Sequence, residues 1–186
     1  MDIESGSPGA HKFITNVGLI TSNGPHGQNI MAAEWTHQIS YEPGLIAICI
    51  QASCATHANI EESKEFGVSI ASVEQNAVSS IAGGSHGFDV DKINVLKKLG
   101  VEFYPAKKIN CLMVKDAALN VECKLLKKFE LGDHIMFVGE AVEVFVSDKE
   151  PLAHTQGKYW KIGERIQKPP KEVLDRVAKL VEENKK

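Results

Sequence analysis

The sequence predicts an α+β domain, mainly antiparallel β, built around a small barrel, and three observations predict it. About six segments are dominated by strand-forming residues and separated by turn signals. Short stretches with helix start and stop signals fill the connections, and a last segment carries apolar residues at helical spacing. At 186 residues, with 43% apolar and 24% charged side chains, the chain is long enough for one well-filled core and short for two.

After a flexible start, Val17, Leu19 and Thr21 alternate with small or apolar neighbours and run into the turn SNGPHGQ, which predicts strand, turn, strand. The second strand is expected over residues 29–40, up to the turn signal YEPG. Leu45–Ile50, apolar on both faces, reads as a central strand. Ser53 or Thr56 is expected to cap a short helix running to about residue 63, with Glu61 and Glu62 near its start. Residues 66–71 resume as strand. VEQNAVSSIAGG predicts a helix stopping at a glycine pair, and DKINVLKKLG predicts another with Gly100 at the C′ position. From residue 117 to 146 two long antiparallel strands are expected, joined by the tight Leu131-Gly132-Asp133 turn. Pro169 and Pro170 open a final segment in which Val173, Leu174, Val177, Leu180 and Val181 form one apolar stripe of an amphipathic helix. Residues 1–168 are therefore expected as one domain and 169–186 as an appended helix.

Composition excludes several classes of function. The longest aliphatic run, Leu45–Ile50, is far short of the roughly 20 residues of a membrane-spanning helix, so no membrane partner is expected. The acidic and small residues of MDIESGSPGAHK lead to the expectation that nothing directs export. A net charge of -3 gives no electrostatic footprint for nucleic acid. Arg165 and Arg176 are the only arginines, so a phosphate bound earlier in the chain must be met by hydroxyls, backbone N–H groups, His or Lys. The four cysteines form no CxxC pair, and a reduced, cytoplasmic setting is expected.

Four segments could carry chemistry. In NIMAAEWTHQIS, Ala32 and Ala33 leave backbone with little side-chain cover, against which a flat ring could lie; the alternative is that the alanines relieve packing under a helix and Trp35 belongs to the core. SCATHANI gathers Ser53, Thr56, His57 and Asn59 at a strand-to-helix junction, where helix N–H groups make an anion site, or where one hydroxyl is simply the cap. GGSHGFDVDK offers Gly84, Ser85, His86 and Lys92 to an anion or ring carbonyl, or is a solvated loop; His86, Asp89 and Asp91 match no strong metal signature, and no metal is expected. GDH puts His134 at the mouth of the long hairpin, and GKYW presents Tyr159 and Trp160 as a stacking wall or as ordinary packing. No GxGxxG, Walker A or GxSxG signature appears.

In this order, AAEWTHQISYEPGLIAICI, THANIEESKEFGVSIAS, GGSHGFDVDK and FELGDHIMFVGEAVEV together resemble the flavin reductase-like, FMN-binding split-barrel family, over residues 29–160. The resemblance implies a six-stranded antiparallel Greek-key split barrel, a homodimer, and one FMN per subunit near the dimer interface. It implies that Ala32, Ala33, Glu34, Trp35 and Thr36, with Gln38, lie along the isoalloxazine. Ser53, Cys54, Ala55, Thr56, His57 and Asn59 would hold the phosphate and ribityl chain. Many relatives carry Arg where this chain has Thr56 or His57, so affinity would rest more on backbone donors. The family's SGxxxDKF loop is represented by Gly84, Ser85 and His86, with Asp91 and Lys92 followed by Ile93, and Lys92 is not expected as a direct ligand. His134 would face the nicotinamide, and Tyr159 with Trp160 would border the flavin.

The activity so implied is NAD(P)H-dependent flavin reduction, hydride passing from nicotinamide to flavin and electrons onward to free flavin, ferric iron, a monooxygenase component or another redox protein. The alternative is an FMN-binding electron carrier without NAD(P)H activity, and a third reading is a flavin-free ligand-binding barrel.

Overall fold

The computed structural model describes residues 2–185; residues 1 and 186, the outer ends of the two expected units, lie outside the described residues. A 3-10 turn (Ala10–Lys12) leads into β1 (Thr15–Asn16), β2 (Gly18–Ser22), β3 (Asn29–Ala33), β4 (Thr36–Ser40) and β5 (Leu45–Ile50). Helix α1 (Ala55–Ser63), β6 (Glu65–Ile70), α2 (Asn76–Gly84) and α3 (Lys92–Lys98) follow. Two short strands, β7 (Phe103–Pro105) and β8 (Leu112–Val114), precede the hairpin of β9 (Leu119–Leu131) and β10 (His134–Val146). The chain ends with β11 (Ala153–Thr155), β12 (Lys158–Trp160) and α4 (Lys171–Glu183).

The main sheet has the order β3-β2-β6-β9-β10-β5-β4 and is antiparallel throughout. Small sheets β1-β11-β12 and β7-β8 flank it. The mainly β, α+β class is as expected, but the main sheet has seven strands where six were expected. The difference lies at residues 29–40, which are two strands rather than one. The chain leaves the ladder at Glu34 and Trp35, and Thr36 Oγ1 donates to the carbonyl of Ala33 at 3.1 Å to close the bend. As a result β3 and β4 occupy opposite edges of the same sheet. The sheet curls until those edges approach, and β2 then passes so near β4 that a Cβ on Gly18 would collide with the Thr36 side chain.

Alternation along β2 divides the core. Ile20 faces an inner cluster with Ile48, Phe66, Val121 and Phe137. Val17 and Leu19 face an outer cluster with Val78 and Ala82 of α2, Leu96 of α3, and Leu152. Each large side chain buried this way contributes about 1.5–3 kcal/mol, which is why both faces of β2 are committed and its register is fixed. Register shifts in the β9–β10 ladder fall at Val138/Gly139 and Ala141/Glu143. Such bulges sharpen the local twist, and Gly139 leaves the space that the Phe66 ring fills.

The turn chemistry is largely as expected. Gly132 has φ +59° in the β9–β10 turn, and Gly100 has φ +85° after α3, whose start is capped by Asp91 accepting from Asn94 N at 2.9 Å. Two local expectations are corrected. Cys54, not Ser53 or Thr56, is the N-cap residue of α1, and it makes no side-chain cap bond. Glu61 and Glu62 lie in the last turn of α1 rather than near its start, and Glu61 pairs across to Lys128 at 2.7 Å. That hydrogen bond holds the Glu61 carboxyl below its ordinary value. Helix α4 forms where expected and is exposed along its length. Among the described residues no helix is long and apolar enough to cross a membrane.

Candidate functional site

The two residues that cross from β3 to β4 cannot belong to either ladder, and their side chains are left at the rim. Trp35 is tied down through its carbonyl, which accepts from Cys49 N at 3.0 Å, while its ring is 46% exposed. The ring lies 4.6 Å, centroid to centroid, from that of His134. Strand β10 pairs with β5 so that Ile135 faces Ile50, which places His134 where β5 ends and the chain turns into α1. His134 Nδ1 lies 2.8 Å from Asp133 Oδ1, and this hydrogen bond holds the Asp133 carboxyl below its ordinary value. With Nδ1–H donated to Asp133, Nε2 is the nitrogen left for a ligand.

Helix α1 starts at the same rim without a side-chain cap and without an acidic residue in its first turn. Cys54 N donates to the Gln51 carbonyl at 3.2 Å and His57 N to the Cys54 carbonyl at 3.0 Å, which leaves the N–H groups of Ala55 and Thr56 without an acceptor, and the helix dipole favours an anion there. His57, in that first turn, packs 5.6 Å from the Phe137 ring; its buried Nε2 makes no hydrogen bond and stands 3.9 Å from Glu61. Behind the helix start lies Lys92, 3% exposed, whose Nζ donates to the carbonyls of Ala82 at 3.0 Å and Ser85 at 3.2 Å. Burial pulls its pKa down to about 8, against the opposing influence of nearby Cys54. Burial likewise raises the Cys54 thiol, and the Lys92 charge partly offsets it. One ammonium group therefore ties the end of α2 to Ser85, and its charge acts on Cys54 at the start of α1, which sets the expected 84–86 segment near the 53–57 segment. Gly84 is exposed, and a Cβ there would meet nothing within 4 Å.

A second flank is built by β11 and β12. The Tyr159 hydroxyl donates to Ser79 Oγ on α2 at 3.0 Å and lies 3.4 Å from Ser80 Oγ. Its ring is 5.6 Å from that of His154, and His154 Nδ1 is 3.4 Å from Glu34 Oε1. Sequence reading missed His154; the only signal was its place three residues before the glycine of GKYW.

Several expected residues sit elsewhere or do other work. Ala32 and Ala33 form no bare patch: Ala33 is in the inner core, and Ala32 lies under α2, where a Cβ on Gly83 would come 3.3 Å from its own. The packing alternative holds for these two. Asn59 points inward, fully buried, accepting from His26 N and donating to Ser22 Oγ and the carbonyl of Gly27. Thr56 Oγ1 accepts from Asn29 Nδ2 at 2.8 Å, which ties α1 to β3. The expected side-chain contacts of Asn59 and Thr56 with a ligand are thus replaced by contacts within the fold. Gln38 faces outward on β4, His86 is exposed, and Trp160 turns its Nε1 to the Thr155 carbonyl at 3.2 Å. Among the described residues no group of three His, Cys, Asp or Glu side chains is placed to hold a metal.

This donor set fits a phosphorylated ligand bearing a flat ring: a helix start without a side-chain cap, a buried ammonium behind it, and the exposed Trp35–His134 pair beside it. Comparisons with known proteins bear on which ligand that is. A family model described as flavin reductase like domain matches residues 10–163. The chain is 35% identical over 130 residues to an uncharacterized protein of Archaeoglobus fulgidus, covering 70% of this chain and 71% of that one. It is 30% identical to a ferric-chelate reductase (NAD(P)H) of the same organism, covering 88% and 92%. The solved structure of a flavoredoxin from Methanosarcina acetivorans superposes with a TM-score of 0.77 at 21% identity, covering 92% and 96%.

Proposed function

We propose, on the premise that the chain belongs to the flavin reductase-like family, that it is an NAD(P)H-dependent flavin oxidoreductase holding FMN. The observation that carries this reading is the meeting of the α1 start, the Lys92-fastened 84–86 loop and the Trp35–His134 pair at the β3–β4 crossing. A bound flavin supplies the hydride acceptor and the onward electron transfer. The phosphate is held by the leading N–H groups of α1, with Ser53 and His57 beside them. Lys92 acts from behind, as a positioning group and a source of positive potential. Trp35 and His134 form one wall of the ring site, and Tyr159, pinned by Ser79, forms the other. His134, its Nδ1 fixed by Asp133, directs Nε2 at the dinucleotide and orients the nicotinamide.

A second copy of the chain completes the assembly in this reading. Ile39 on β4, Leu126, Phe129 and Leu131 on β9, and Val144, Phe145 and Val146 on β10 are large apolar side chains left exposed. Patches of this kind mark association surfaces. Free flavin, a ferric complex, a monooxygenase component or another redox protein is the acceptor, and four free cysteines fit a reducing, cytoplasmic setting.

The test is an anaerobic titration of the yellow, FMN-loaded protein with NADH and NADPH, followed by an acceptor screen. Bleaching by either nicotinamide supports the reading. Bound FMN that neither nicotinamide bleaches would make the protein an electron carrier, and failure to take up flavin would remove the reading altogether.

A further inference from the structure

A cleft of about 530 Å³ opens between the β2–β3 turn and the loop that enters α3, within the size range of small-molecule sites. Nothing in the proposed reaction uses it. Its wall carries His26 and Phe88, whose rings meet edge to face with centroids 4.7 Å apart. Phe88 is nonetheless 53% exposed, which leaves a large aromatic surface of a loop in water. Asp89, Asp91 and Lys97 supply the charged groups, and Leu112 part of the apolar lining.

The cleft continues from the proposed phosphate site. Gly87, two residues after Ser85, lies so close over Asn29 that a Cβ there would come 2.5 Å from Asn29 Oδ1. Asn29 in turn donates to Thr56 in the first turn of α1. Both Gly87 and Asn29 line the cleft, so its inner wall is built on the structures that hold the phosphate. Two carboxylates against one lysine disfavour a strongly anionic occupant, while carboxylates accept hydrogen bonds from ribose hydroxyls or an exocyclic amine. An aromatic ring on the wall suits a stacked base.

We propose that this cleft seats an adenosine group whose phosphate end lies at the start of α1. The placement of the phosphate rests on the function proposed above. FAD in place of FMN carries its phosphates to that helix start, whereas a nicotinamide dinucleotide bound beside FMN would have to share it with the flavin phosphate, and the experiment separates the two.

Binding of adenosine 5′-monophosphate is measured by calorimetry on the full chain and on Phe88→Ala and Asp89→Ala, both exposed loop positions, with unchanged melting as the check on folding. The expected result is binding to the unaltered protein that weakens about tenfold in Phe88→Ala, the size of a lost base–aromatic stack. If Phe88→Ala also weakens FAD but not FMN, the adenosine is the flavin's. If it raises the KM for NADH but not for reduced nicotinamide mononucleotide, the adenosine belongs to the dinucleotide and the placement of its phosphate at the start of α1 is overturned. Equal affinity of both variants and the unaltered protein for adenosine 5′-monophosphate, FAD and NADH would overturn the proposal. Binding of adenosine 5′-monophosphate that depends on Phe88, in a protein that takes up no flavin, would support the cleft and sink the flavin reading, so the two fail separately.

Discussion

Replacing Asn59 by alanine separates a support from a ligand. Its side chain is fully buried and serves three groups: His26 N at 3.0 Å, Ser22 Oγ at 3.1 Å and the Gly27 carbonyl at 2.9 Å. Ser22 is itself fully buried, so its hydroxyl loses a partner that water cannot replace, at about 1–2 kcal/mol. His26 and Gly27 belong to a turn at the surface and recover some hydration, which limits each to about 0.5–1 kcal/mol. Asn59→Ala should therefore destabilise the protein by about 2–4 kcal/mol, a urea midpoint shift on the order of 1 M. The assay is urea unfolding at fixed protein concentration, since association would add to apparent stability. FMN affinity of the folded variant is measured alongside. Because Asn59 points away from the rim, that affinity should stay within about threefold, well under the cost of a lost hydrogen bond to a charged group. A loss of stability below about 1 kcal/mol, together with a large fall in FMN affinity, would refute the inward assignment and return Asn59 to the ligand.

Three further outcomes are expected. Lys92 has a folded pKa of about 8 against an ordinary 10.5, so the unfolded chain binds more protons between those values and stability rises with pH across that window. Measured against Lys92→Met, which cannot titrate, the unaltered protein should gain about 2–3 kcal/mol from pH 7 to pH 10, and a flat difference would show that Lys92 keeps its ordinary pKa. His134→Ala removes both the contact with Trp35 and the nitrogen aimed at the dinucleotide, and stopped-flow reduction should show a raised NAD(P)H dissociation constant and slower hydride transfer; unchanged values of both would remove the role. Deleting residues after Lys168 takes away α4 and its exposed apolar stripe, and the dimer mass or the melting temperature should fall; if neither changes, α4 takes no part in the interface.

Features set by local chemistry were legible in the sequence. The long hairpin, its glycine turn and Gly100 as a helix stop all follow from residues within a few positions of one another. What could not be read was decided by distant contacts. Residues 29–40 carry no glycine or proline, so no turn signal marks the break between β3 and β4. Strands β7, β8, β11 and β12 are three residues each, too short for a period-2 pattern to register. The SCATHANI segment shows the same limit within the site. A buried amide and hydroxyl at a helix start look alike in sequence whether they face a ligand or, as Asn59 and Thr56 do, a neighbouring turn and strand.

The position of the site follows from the break that sequence could not show. A sheet whose two edge strands are consecutive in the chain must be crossed by a short connection, here Glu34 and Trp35, at the point where the curled edges come together. Side chains in such a crossing have no place in either core face, so they are exposed beside whatever begins or ends at the same rim. In this chain that is the end of β5, the start of α1 and the start of β10, which bring respectively an anchor for Trp35, an uncapped set of N–H groups, and His134. Lys92 then holds the end of α2 and Ser85 together, and its charge acts on Cys54 at the same helix start. Changing Trp35 or His134 should accordingly alter chemistry at the rim with little effect on the fold, whereas changing Thr36 or Gly18, which set the crossing itself, should disturb the sheet before any ligand is bound.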